Sequence, residues 1–152
     1  MDTYFFDSSA IVKRYVTELG STWVLNVTDP AKANDIYVVQ LTGVEVVSAL
    51  VRKTPPLPPP HFAQALSAFK QDFQHQYQRI AVNEAIVIRA IRLVETYRLR
   101  GYDAVQLATA MELRGVGAKT KLPSFIFVSA DTQLNVAAAA EGLTVENPTS
   151  HP

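Results

Sequence analysis

Tyr4-Phe5-Phe6-Asp7-Ser8-Ser9-Ala10-Ile11-Val12-Lys13 is the stretch on which the fold turns. Three consecutive aromatic residues predict a short buried strand, and a carboxylate follows it at once. Open α/β sheets bind their ligands in the crevice outside the carboxyl ends of the strands, so Asp7 stands where a ligand would. The residues after Ser8 place apolar side chains at Ile11, Val12, Tyr15, Val16 and Leu19. That spacing predicts a helix over 8–19, stopped by Gly20.

Further along, strands and helices alternate. A second buried strand is expected over 36–39, and a helix over 42–53 with Val44, Val47, Leu50 and Val51 facing inward. Pro55-Pro56-Leu57-Pro58-Pro59-Pro60 reads as a stiff connector over 54–60, because proline suits neither a helix interior nor a central strand. An amphipathic helix follows over 61–77, then a strand over 79–82. Helices are expected over 84–99 and 103–114, with Gly101 and Gly115 as their stops. A strand over 125–128, an alanine-rich helix over 132–141 and a last strand over 143–145 complete the pattern. Alternation of this kind predicts a mainly parallel central sheet covered by helices on both faces. One domain over 1–148 with a tail over 149–152 accounts for all 152 residues.

Composition removes several chemistries. The chain has no cysteine, which excludes disulfides, thiolate catalysis and cysteine-bound zinc. The three histidines do not form a ligand set, since His61 and His75 share a helix away from the acids and His151 lies near the end. Formal net charge is zero, so any nucleic-acid binding must come from a local patch. The N-terminus has neither a basic region nor a long apolar run. The expectation is therefore a cytoplasmic protein without a signal peptide or membrane span.

Three more acids occupy settings comparable to that of Asp7. Glu45, Asp103 and Asp131 each stand at or near an expected helix start. Each has a structural alternative: Asp7, Asp103 and Asp131 suit N-caps, and Thr42-Gly43-Val44-Glu45 fits a capping box. Caps alone leave unexplained why four carboxylates fall where one crevice could gather them. Hard Mg²⁺ or Mn²⁺ suits an all-oxygen set of this kind. Two such ions about 4 Å apart would activate water and stabilise a leaving oxygen in phosphodiester hydrolysis.

The motifs also carry a family resemblance. The opening stretch from Tyr4 to Lys13 resembles the first motif of PIN-domain proteins, particularly VapC-type toxins. Val44-Glu45-Val46-Val47-Ser48-Ala49-Leu50 is similar to the second motif. Leu99-Arg100-Gly101-Tyr102-Asp103-Ala104-Val105-Gln106-Leu107-Ala108-Thr109-Ala110 is similar to the third and most specific one. Phe127-Val128-Ser129-Ala130-Asp131 through Leu134, then Gly142 to Pro148, resembles the closing element. The resemblance runs in order over essentially the whole chain. It implies a PIN-like three-layer sandwich and a Mg²⁺- or Mn²⁺-dependent ribonuclease, with Asp7, Glu45, Asp103 and Asp131 as the acidic metal site. It also implies an RNA substrate, a small antitoxin partner and a homodimer. Gln106 stands where relatives often have His, and the proline-rich connector is longer than expected.

Ser9 is a candidate auxiliary residue near a metal-bound water or a phosphate oxygen, and Lys13 and Arg14 are candidates to reach phosphate. Arg89, Arg92, Arg98 and Arg100 make the helix before Asp103 basic, and Lys119 and Lys121 are candidate phosphate clamps. Haloacid-dehalogenase-type phosphotransferases also place an Asp after the first strand. That chemistry wants a second acid two residues later, where this chain has Ser9. A PIN-like module that binds RNA or protein without cutting is the remaining alternative.

Overall fold

The computed structural model describes residues 1–120 and 124–152, without the side chains of 118–120. Strands β1 (Thr3–Phe6), β2 (Asp35–Val39), β3 (Gln78–Ile80), β4 (Phe125–Val128) and β5 (Thr144–Glu146) form one sheet in the order β3-β2-β1-β4-β5. Every pairing is parallel. Strand β1 is central and all four of its residues are buried. The order reverses direction on either side of it, so the switch point of the sheet lies between the carboxyl ends of β1 and β4.

Side chains alternate across the sheet with the two-residue period of a strand. Phe5, Val39 and Phe127 enter one core, with α5 (Glu84–Tyr97), α6 (Gly101–Thr120) and α7 (Thr132–Ala140) packed over it. Phe5 and Phe127 stack there with ring centroids 5.8 Å apart. Tyr4, Phe6, Ile36, Val38 and Val128 enter the other core. That face is covered by α1 (Ser8–Ile11), α2 (Ser21–Val27), α3 (Thr42–Val51) and α4 (Pro59–His75).

Several boundaries differ from the sequence reading. The helix expected over 8–19 ends at Ile11 and tightens into a 3₁₀ turn over Val12–Arg14. Gly20 does not stop it. With φ of +90° it precedes α2, and a Cβ there would stand 2.4 Å from the Pro148 carbonyl oxygen. Pro59 and Pro60 are not part of the connector but open α4, where a proline lacks only an N–H that has no helical partner anyway. Helix α5 ends through Arg98 in the left-handed region, with φ of +57°, and Gly101 begins α6. Helix α6 then continues through Gly115. On α3 the buried residues are Thr42, Val46 and Leu50, whereas Val44 and Val51 are exposed.

The expected tail is tied down. Pro148–Ser150 forms a 3₁₀ turn, the His151 ring stacks on Trp23 with centroids 4.8 Å apart, and His151 Nε2 lies 2.8 Å from Glu146 Oε2. Among the described residues, no helix is long and apolar enough to cross a membrane.

Candidate metal centre

The switch point opens into a crevice of about 850 Å³. Ser8, Ser9, Glu45, Arg52, Arg100, Tyr102, Asp103 and Asp131 are among its lining residues. Asp7 lies beneath the floor and is only 2% exposed. The fold therefore gathers all four candidate acids at one end of the sheet, although they come from the N-cap of α1 just after β1, from α3, from α6 and from the loop after β4.

Asp7 ties β1 to β4. Ser9 Oγ and the Ala10 N–H donate to its Oδ1 at 2.7 and 3.0 Å, and Ser129 Oγ donates to Oδ2 at 2.6 Å. The two serine oxygens in turn accept the N–H groups of Ala130 and Asp131, both at 3.0 Å. Each hydroxyl thus passes the backbone of the β4 loop on to one carboxylate. Removal from water nevertheless dominates, and it pushes the Asp7 carboxyl up to about 7 against the pull of these hydrogen bonds. The nearby Asp103 charge acts in the same direction.

Glu45 is not in a capping box. Leu41 precedes α3 without a side-chain cap, and the Glu45 oxygens face the site instead. Ser8 Oγ donates to Oε2 at 3.0 Å, and Gln106 Nε2 donates to Oε1 at 2.9 Å. Gln106 Nε2 also donates to Thr42 Oγ1 at 3.0 Å, which fixes the orientation of its amide, while its Oε1 has no partner. Asp103 is in the first turn of α6 rather than at its N-cap. Asp131 is a cap, its Oδ1 accepting the Leu134 N–H at 2.9 Å. Burial, then the charge of Asp131, raise the Asp103 carboxyl above its usual range.

Ser9 reaches the crevice, but Lys13 and Arg14 turn away from it. Lys13 is buried and pairs with Glu18 at 3.1 Å. Arg14 donates to Gln76 Oε1 and to the Tyr77 hydroxyl and pairs with Asp72. Arg89 and Arg92 pair at 2.8 Å with Glu112 and Glu141, so they strap helices together rather than form a free basic stripe. The clamp expected of Lys119 and Lys121 rests on one side chain and one residue that lie outside what the structure describes. Sequence reasoning missed Ser129 and gave Gln106 no role. The Ser129-Ala130-Asp131 spacing carried a signal, because a serine two residues before a capping aspartate falls at the strand end.

The donor chemistry fits a hard divalent cation: carboxylate and hydroxyl oxygens with no sulfur or imidazole among them. A cation already stands between two of the acids, the Arg100 guanidinium, 3.3 Å from both Asp103 Oδ2 and Asp131 Oδ2. As the side chains stand, no group of three or more acids or histidines among the described residues is close enough to hold one ion. Loading would require the carboxylates to draw together.

No protein-family model and no curated protein sequence matches the chain. Solved structures do. A toxin–antitoxin complex from Klebsiella pneumoniae contains a chain 16% identical, with a TM-score of 0.64 over 95% of this chain and 97% of that one. PAE2754 from Pyrobaculum aerophilum is 19% identical at a TM-score of 0.60, over 95% and 89% of the two chains. VapBC2 from Rickettsia felis, bound to a DNA fragment from its promoter, contains a chain 14% identical at 0.63, over 95% and 98%. At these identities the likeness is one of fold. The chain adopts the PIN-like α/β sandwich that its motifs resemble.

Proposed function

We propose that this chain is a divalent-metal-dependent endoribonuclease of the VapC type, the toxin of a toxin–antitoxin pair. The observation that carries the reading is the convergence of Glu45, Asp103 and Asp131 on one crevice directly above Asp7. The fold shared with toxin–antitoxin structures supports the biological setting. Asp7, Glu45, Asp103 and Asp131 would hold Mg²⁺ or Mn²⁺. When bound, the metal supplies Lewis-acid stabilisation of the charge that develops on the phosphate oxygens and lowers the pKa of water.

The chain's own residues do the positioning. Ser9 and Ser129 fix both oxygens of Asp7, and Ser8 with Gln106 fix both oxygens of Glu45. Arg52 and Tyr102 line the walls and offer a cation and a ring to an RNA strand. The partners proposed with this reading are an RNA substrate, a small antitoxin that closes the crevice, and a second copy of the chain.

The test is a labelled RNA cleavage assay with Mn²⁺ titration by calorimetry, wild type beside Asp103→Asn. Asp103→Asn is expected to lose cleavage by at least about a hundredfold and to weaken Mn²⁺ binding with the fold intact by circular dichroism. Full activity in the variant would remove Asp103 from the site. Wild type that binds RNA but neither metal nor cuts would instead identify a non-catalytic binding module.

A further inference from the structure

Arg100 is the one cation seen to touch two of the four acids among the described residues. Its Nε lies 3.3 Å from Asp103 Oδ2, three residues on, and its Nη2 lies 3.3 Å from Asp131 Oδ2 on the opposite wall. Both distances are long for charge-assisted hydrogen bonds, and the side chain is 82% exposed. The Asp131 oxygen it touches is the one the α7 cap leaves free.

Arg100 is not needed to hold the helices together. Arg89 already ties α5 to α6 through Glu112, and Arg92 ties α5 to Glu141 at the end of α7, each at 2.8 Å. Arg114 adds hydrogen bonds to the Gly142 and Glu141 carbonyls. A weak, exposed contact beside tight straps has a different role. Asp103 and Asp131 face one another across the crevice, and like charges at short range separate unless a cation lies between them.

We propose that Arg100 is a built-in placeholder, which neutralises the Asp103–Asp131 pair while no divalent ion is present and swings out when one binds. This rests on the metal reading above. Metal uptake is then an exchange of one cation for another. It should be opposed by Arg100, while metal-free stability should be helped by it. The Arg98 backbone, in the left-handed region two residues earlier, turns the chain so that the guanidinium lies over the crevice rather than along α5.

The experiment is calorimetric Mn²⁺ titration of wild type, Arg100→Gln and Arg52→Gln, with thermal melts of each in chelator. Arg52 lines the same crevice but pairs with none of the four acids, so it reports the general effect of removing one positive charge. Two exposed ion pairs are lost in Arg100→Gln, so its Mn²⁺ affinity should rise roughly three- to tenfold. Arg52→Gln should change it by less than about twofold. Only Arg100→Gln should melt lower than wild type in chelator. Equal gains in the two variants, or an unchanged or weaker affinity in Arg100→Gln, would overturn the proposal and leave the metal site standing. If neither wild type nor Arg100→Gln bound Mn²⁺, the metal reading and the placeholder would fall together.

Discussion

Asp7 is held at the junction of β1 and β4 with its carboxyl pushed up to about 7, chiefly by loss of water, from an ordinary value of 3.8. The folded state therefore holds a proton that the unfolded chain gives up. Its contribution to stability is fully present below about pH 4 and is lost as pH rises through about 7. Asp103, also raised, acts in the same sense. In chelator, urea denaturation at pH 5 and pH 8 should show wild type losing on the order of a few kcal/mol more across that interval than Asp7→Asn. Parallel losses in the two proteins would mean that Asp7 is not the group responsible. The position of Asp7 was legible in the sequence, because a carboxylate directly after a buried run has to lie at a strand end. Ser9 was also singled out, but as a ligand-side group; that it and Ser129 grip Asp7 together was not legible, because they are 120 residues apart and meet only through the β1–β4 pairing.

Among the elements, strands were the easiest to read and helix ends the hardest. Spacing predicts glycine stops at 20, 101 and 115. In the structure Gly101 and Gly115 are helical with open space around them, and of these three Gly20 alone is required by its backbone. Replacing Gly20 with Ala combines a positive φ with a Cβ driven into the Pro148 carbonyl. The expected cost is about 2 kcal/mol, seen as a melting temperature lower by roughly 4–8 °C. An unchanged melt would show that the final turn yields freely. Helix α3 shows a second kind of limit. Valines at 44, 46, 47 and 51 suit several faces, and the sheet beneath chose the Thr42, Val46, Leu50 face. Val44 was left on the crevice wall.

At the scale of the whole molecule, α5 keeps Val87, Ile88, Ile91 and Val94 exposed on the side away from the sheet. A second copy of the chain is the proposed cover for them. Light scattering after gel filtration should find wild type as a dimer. Ile91→Glu should be a monomer with a melt no more than a few degrees lower, because Ile91 is 55% exposed. A monomeric wild type would remove the homodimer from the proposed function. The alternation of strands and helices, hence a parallel sheet, and the four acids at element ends could be read from the chain alone. Both follow from local spacing, which a chain carries wherever it goes. Long-range packing was needed to put β1 at the switch point and to turn Glu45 to Gln106 and Ser8 rather than to a cap. It also decided that Lys13 and Arg14 turn inward and that Arg100 bridges two carboxylates. Those facts depend on which distant segments are brought into contact, and spacing along one segment does not encode that.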